Sequence, residues 1–240
     1  MKVYEIMSKD VIGVKPETRA IEALELMIRN NIRRLVIGKG EGIVTIRDIV
    51  YSWQNLNEPV SKISSKEVYF VSPDADIKEA IKLMAIKGIG SLLVGSKDNI
   101  IGIVTERDIV RNVKAPQNVK VSDIMGKNPL LTVRDASVLE VIEFLKSNWQ
   151  RHAIIVEERR PVGVVSVKDI GRILLSRRDL REIKVNYIMS SSVIVVNVDA
   201  NLEYARFLMS QRNIGFLPAV SPFGLEGYVS EKEIIGALSV

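Results

Sequence analysis

The chain contains no cysteine and a single histidine, His152. Without thiols it has no disulfide, no thiolate nucleophile and no thiolate metal site. With one imidazole, a Ser-His-Asp or Cys-His catalytic set is close to excluded. A metal centre would have to be built from carboxylates, and no calcium-loop spacing of Asp and Asn occurs. No catalytic residue, catalytic cofactor or metal site is therefore expected. No apolar run approaches the roughly 18 residues needed to span a bilayer. Residues 1–10 lack the basic-then-apolar pattern of a secretion signal. The expected location is the cytoplasm, with no membrane partner.

What is present is ordinary for a globular protein: 240 residues, 47% hydrophobic and 26% charged. The net charge of +5 is uneven, because residues 111–184 hold 15 Lys and Arg against 9 Asp and Glu. A basic middle suits an anionic ligand or a nucleic acid, or is simply a solvated surface and linker.

The chain also repeats itself. Four segments open with similar leads: Val3-Tyr-Glu-Ile-Met7, Val60-Ser-Lys-Ile63, Val121-Ser-Asp-Ile-Met125 and Val185-Asn-Tyr-Ile-Met189. A β-rich run follows each, at 11–14, 68–71, 130–133 and 193–198. A helix comes next, with apolar residues at i, i+3, i+4 and i+7: Ala20, Ala23, Leu24 and Met27 in the first copy. The fourth copy places Arg206 in that stripe. Two short apolar strands follow, then a second helix. Copy 3 lacks a proline after its first strand and reads as one residue shorter there. The expected fold class is α/β, with short mixed sheets. One unit has too little core to stand alone, so pairs should pack together. Residues 114–118 read as a linker, and residues 176–181 as an exposed joint.

Between the last strand and last helix each copy carries one motif. The four are Gly42-Ile-Val-Thr45-Ile-Arg-Asp48, Gly102-Ile-Val-Thr105-Glu-Arg-Asp108, Gly163-Val-Val-Ser166-Val-Lys-Asp169 and Gly227-Tyr-Val-Ser230-Glu-Lys-Glu233. Thr or Ser three residues before an acid is a helix N-cap, worth about 1 kcal/mol. Glu233 suits the reciprocal capping bond, whereas Asp is a poorer partner for it. An Asp fixed at a helix start has another use: its oxygens can accept from the two hydroxyls of a ribose. The adjacent hydroxyl and helix N-terminus could hold a phosphate, and the Gly would let a ligand approach the backbone. Ligand binding is favoured for copies 1–3, and capping alone for copy 4.

These repeats resemble CBS domains, the cystathionine β-synthase repeats, over nearly the whole chain. The resemblance implies four βαββα repeats, at 1–56, 57–115, 118–178 and 182–240, paired into two pseudo-twofold Bateman modules, 1–115 and 118–240. It implies clefts that bind AMP, ADP or ATP, with S-adenosylmethionine or NAD as alternatives. The family's ribose acid matches Asp48, Asp108 and Asp169. Its phosphate-contacting hydroxyl matches Thr45, Thr105 and Ser166. Its adenine-side strand matches Ile12 and Val14, Tyr69 and Val71, and Leu131 and Val133. AMP-sensing members place His-Arg pairs at the start of the next strand, which implies phosphate contact for Arg33, Arg34, Arg151 and His152. The basic residue before each acid, among them Arg107 and Lys168, reaches either phosphate or solvent.

Two functions are open. One is a non-catalytic adenine-nucleotide sensor that signals to an unknown protein partner or through homodimerisation. The other is a nucleic-acid-binding or scaffold protein using residues 111–184. Aromatics at 5% do not interleave with the basic run, so base stacking is poorly served.

Overall fold

The computed structural model describes residues 1–240. Each repeat builds the same small layer: a short strand, a helix, two longer strands and a second helix. Repeat 1 contains β1 (Gly13–Val14), α1 (Ala20–Arg29), β2 (Arg34–Ile37), β3 (Gly42–Thr45) and α2 (Ile46–Tyr51). Repeat 2 contains β4 (Phe70–Val71), α3 (Ile77–Lys87), β5 (Ser91–Ser96), β6 (Asn99–Thr105) and α4 (Glu106–Asn112). A short helix, α5 (Val121–Ile124), precedes repeat 3, which contains β7 (Leu131–Thr132), α6 (Val138–Ser147), β8 (His152–Glu157), β9 (Arg160–Ser166) and α7 (Val167–Leu174). Repeat 4 contains β10 (Val196–Asn197), α8 (Leu202–Arg212), β11 (Phe216–Ser221), β12 (Gly224–Ser230) and α9 (Glu231–Leu238). No helix is long and apolar enough to cross a membrane.

Local chemistry sets these boundaries. Ser137 caps α6 by accepting from the Glu140 amide, and Glu140 bonds back to the Ser137 amide. At α3 the Asp76 side chain accepts from the Lys78 amide and Glu79 accepts from the Asp76 amide, and the helix ends at Gly88 in the left-handed region. Each first strand pairs in parallel with the strand after its helix, a connection that requires a crossover. The remaining two strands form an antiparallel hairpin.

The strand register corrects the expected alignment of copy 3. The residues opposite the motif glycines are Ile37, Val94, Ile155 and Ala219. Their parallel partners on the first strands are Val14, Val71, Thr132 and Val196. Each of these lies six residues before its helix, at Ala20, Ile77, Val138 and Leu202. Copy 3 is therefore not shorter, and its counterparts of Ile12 and Val14 are Leu130 and Thr132. The expected Leu131 and Val133 are one residue out of phase. A strand alternates faces, so that slip puts them on the other side; they are 48% and 62% exposed, against 7% for Leu130.

The leads are exchanged between repeats. Each packs on its sequential partner's repeat and not on its own. Ser8 bridges to Ile103, Ser65 to Ile43, Gly126 to Tyr228 and Ser190 to Val164. Sequential neighbours thus exchange their first segments.

The chain divides into two compact units, each drawn from both halves of the sequence. One is assembled from residues 1–11, 69–129 and 194–240, and the other from 12–68 and 130–193. The first joins repeats 2 and 4, the second repeats 1 and 3. In the second, one core runs from Leu24, Met27 and Ile49 of repeat 1 to Ile142, Leu145 and Ile170 of repeat 3. Gly171 lies at the tight point of that packing, since a Cβ there would meet Ile46 Cγ2 and Leu24 Cδ1, each at 3.2 Å. The first unit has two clusters, centred on α3 with the β5–β6 hairpin and on α8 with the β11–β12 hairpin. Arg206, the polar interruption of the α8 stripe, is only 7% exposed. Its Nε and Nη2 donate to Glu203 at 2.7 and 2.8 Å, and its Nη1 donates to the Val110 carbonyl at 2.6 Å. Glu203 also accepts from the Ala115 amide at 2.7 Å, so the expected linker is pinned to the unit at its buried Ala115.

Candidate functional site: the strand-to-helix motif

The four motifs fold alike. In repeat 1, Asp48 Oδ2 accepts from the Thr45 amide at 2.8 Å and from the Thr45 hydroxyl at 2.7 Å. In return, the Asp48 amide donates to Thr45 Oγ1 at 3.3 Å. Thr105 with Asp108 and Ser166 with Asp169 repeat these bonds within 0.1 Å. Glu233 takes the same two donors from Ser230. The capping box therefore closes with Asp as well as with Glu, which corrects the expectation that Asp serves it poorly.

In the Asp copies one oxygen does all the capping. The Oδ1 atoms of Asp48 and Asp108 make no hydrogen bond, and Asp169 Oδ1 is 3.6 Å from Arg172 Nη1. Each motif thus presents one oriented acceptor. The cap hydroxyl is different: its proton is directed at the carboxylate, so Thr45, Thr105 or Ser166 can donate to a phosphate only by releasing that bond.

The motif glycine has a structural reason that differs from the expected ligand approach. A Cβ at Gly102 would lie 2.7 Å from Met7 Sδ and 2.9 Å from the Ser8 carbonyl. At Gly227 it would lie 2.5 Å from the Gly126 carbonyl, and at Gly42 2.9 Å from that of Ser65. The exchanged lead occupies the space a side chain would need.

Cross-strand register places the basic residues. Arg34 pairs with Thr45 and His152 with Ser166, directly beside the motif hydroxyls. Facing positions in such a pair have Cβ atoms about 5 Å apart. The even repeats hold Ser91 and Phe216 there. The carbonyls of Arg33 and Arg151 accept from the first helix amides, those of Ile46 and Val167, at 3.0 Å. The backbone of each basic pair is thus joined to the motif.

Arg107 and Lys168, expected at phosphates, are directed elsewhere. Arg107 Nε donates to the buried Glu231 at 2.8 Å, and Nη1 donates to Asn213 Oδ1 at 3.3 Å. Lys168 Nζ donates to Asn31 Oδ1. Arg47 lies 4.8 Å from the centre of the Trp149 ring. Asn31, Trp149 and Asn213 all have left-handed backbones, with φ of 56°, 54° and 53°. The residue before the acid therefore reaches the turn of the repeat paired with its own unit, and serves assembly.

Repeat 4 is set apart by more than Glu233. Phe216 and Tyr228 stack with ring centres 5.3 Å apart on the face that carries Ser230. Burial, then the Glu233 charge, pushes the Tyr228 phenol above its ordinary range. The sequence reading missed this pair, although Phe216 stands where the odd repeats have Arg34 and His152. The basic segment 111–184 is divided: residues up to 129 belong to one unit and the rest to the other. Lys120, Arg134, Arg172 and Arg181 are paired with acids.

The sequence model of the CBS domain matches residues 3–54, 60–115, 121–176 and 180–240. The chain belongs to the CBS-domain family. Among its relatives is protein MJ1225 of Methanocaldococcus jannaschii, 27% identical over 98% of this chain and 97% of that protein. The crystal structure of MJ1225, described as a candidate archaeal homologue of γ-AMPK, superposes with a TM-score of 0.86 at 26% identity, covering 98% of this chain and 99% of the other. An uncharacterized conserved protein from Pyrococcus horikoshii shares the fold, with a TM-score of 0.70 at 20% identity over 99% of this chain and all of that one. The inosine-5'-monophosphate dehydrogenase of M. jannaschii is 26% identical over 68% of this chain but only 34% of its own length. MJ1225 and the P. horikoshii protein share the fold of the present chain over nearly its whole length.

Proposed function

We propose that this CBS-domain protein is a non-catalytic regulatory sensor that binds an adenosine nucleotide, with AMP, ADP or ATP preferred over S-adenosylmethionine or NAD. The observation that carries this reading is the motif Asp of repeats 1–3. One oxygen is committed to the cap, which orients the other as a charged acceptor for ribose hydroxyls. A charged acceptor makes such bonds worth about 1.5–3 kcal/mol each. Repeats 1 and 3 add basic residues beside the motif, Arg34 with Arg33 and His152 with Arg151, which suits the phosphates. In repeat 2 the ribose acceptor Asp108 stands beside Ser91. The adenine is assigned to the first strands, Ile12 and Val14, Tyr69 and Val71, and Leu130 and Thr132 after the register correction. Repeat 4 is read as empty, because the longer Glu233 crowds a ribose there and the Phe216–Tyr228 pair covers the face. The description of the MJ1225 structure as a γ-AMPK homologue supports the same class of ligand. Output passes to a protein partner or a second copy of the chain, in the cytoplasm. The nucleic-acid alternative draws little support from the division of the basic segment between the two units.

The test is titration calorimetry of the intact protein with AMP, ADP, ATP, NAD and S-adenosylmethionine. Saturable binding of an adenine nucleotide, weakened by Asp108→Ala, is expected. Absence of binding by all five at millimolar concentration overturns the reading.

A further inference from the structure

One feature of the unit formed by repeats 1 and 3 lies outside the nucleotide motif. The joint after repeat 3 is longer than its counterparts. From motif acid to the next lead valine, repeat 1 runs from Asp48 to Val60, repeat 2 from Asp108 to Val121, and repeat 3 from Asp169 to Val185. The extra residues, 176–179, border a cleft of about 300 Å³. Its floor includes Ile21 and Leu139, the second residues of α1 and α6, with Leu174 and Leu180. The equivalent helix positions in the other unit are Lys78 and Glu203. The two positions are apolar here, with Ile21 at the cleft floor and Leu139 half-buried, where the same fold elsewhere has charged residues.

Two guanidinium groups stand at this cleft, Arg177 and Arg178. Both residues are exposed, and neither side chain makes an ion pair or a hydrogen bond. Arg181, in contrast, is paired with Asp179 at 3.3 Å. Arg178 also borders an adjoining cavity of about 610 Å³ that reaches Tyr187, an aromatic ring 79% exposed. Apolar floor, unpaired arginines and an exposed aromatic edge form a continuous strip. Asp179 and Glu182 line the second cavity, which disfavours a polyanion and suits an occupant with only one or two negative groups.

We propose that this strip is a docking site for an acidic amphipathic segment of a partner protein, with apolar side chains on Ile21, Leu139 and Leu174 and carboxylates on Arg177 and Arg178. Guanidinium groups pair with carboxylates in a planar fork. Apolar anchors in a cleft supply most of the affinity in such grooves. The site gives the sensor an output surface independent of the nucleotide residues.

The test uses the intact chain and a fluorescently labelled helical peptide with leucines at i, i+3, i+4 and i+7 and glutamates on both flanks, followed by anisotropy. Saturable binding is expected. The double substitution Arg177→Ser with Arg178→Ser should weaken it about tenfold, the equivalent of about 1.4 kcal/mol. Both arginines are exposed, so this variant keeps its fold, and an unchanged melting temperature verifies that. Leu139→Lys should weaken binding through the floor. Asp48→Ala should leave peptide affinity unchanged, which separates this site from the nucleotide reading. The proposal is overturned if the peptide does not bind at millimolar concentration, or if the arginine variant binds as tightly as the parent. It is equally overturned if a lysine-flanked peptide, an oligoglutamate or a single-stranded RNA binds as well as the test peptide.

Discussion

A single carboxylate does two jobs in each Asp motif, and substitution must report both. Asp108→Ala removes the acceptor for the Thr105 amide and hydroxyl. A lost cap costs about 1 kcal/mol, a fall in melting temperature of about 2–4 °C for a chain of this size. It should also weaken nucleotide binding at repeat 2. Asp108→Glu restores the cap, as Glu233 does in repeat 4, and should recover the melting temperature but not the affinity. Thermal unfolding and calorimetry on the two variants check this. Tyr51 offers a second residue-scale prediction. Its hydroxyl donates to the carbonyls of Leu145 and Gln150, and burial pushes its pKa from 10.0 up to about 12. The unfolded phenol loses its proton first, so the unfolded state binds fewer protons between pH 10 and 12. Stability should fall across that window, and Tyr51→Phe should flatten the fall in pH-dependent denaturation curves.

The Arg206–Glu203 pair and the motif glycines act at the level of elements. Arg206 ties α8 to the end of α4 and, through Glu203, to the linker. Removing Arg206 leaves the partly exposed Glu203 with the Ala115 amide as its remaining donor and the Val110 carbonyl without its guanidinium, a loss of about 1–3 kcal/mol. Arg206→Ala should therefore lower the denaturation midpoint far more than a surface arginine would. The Arg206 hydrogen bond, above all, holds the Glu203 carboxyl below its ordinary value of 4.5. That contribution is present above pH 4.5 and lost as pH falls through the folded value, so the variant should also show a shallower acid limb. Gly227→Ala would place a methyl 2.5 Å from the Gly126 carbonyl. Overpacking of this kind costs about 1–3 kcal/mol. It should loosen the Gly126–Tyr228 bridge, seen as faster hydrogen exchange of those amides.

For the whole molecule, the interleaving of sequence and units decides what a fragment can do. A fragment 1–115 keeps repeats 1 and 2 but removes the packing partner of each. Ile46, Ile49 and Val50 of α2 lose repeat 3, and Val110 of α4 loses repeat 4. The fragment should self-associate to cover those faces, measured as a mass near twice the monomer by light scattering. A monomeric, fully folded fragment would contradict this account of the cores. Nucleotide should raise the melting temperature of the intact chain in step with RT ln(1 + [L]/Kd).

The sequence by itself determined the number of repeats, their order of elements and the cap motif. Those features are local: amphipathic spacing, turn residues and a hydroxyl three residues from an acid act within one helix or hairpin. It also carried the exceptional character of repeat 4, through Glu233. Tertiary structure decided the rest. The one-residue phase of β7 was illegible because a two-residue strand in an apolar run, Leu130 to Val133, has no alternation to read. Only its parallel pairing with Ile154 and Ile155 fixes which side chains face the core. The grouping of repeats 1 with 3 and 2 with 4, the exchanged leads and the redirection of Arg107 and Lys168 rest on contacts between residues distant in sequence. Packing of faces sets such contacts, and no local pattern encodes which of four nearly equivalent faces will meet.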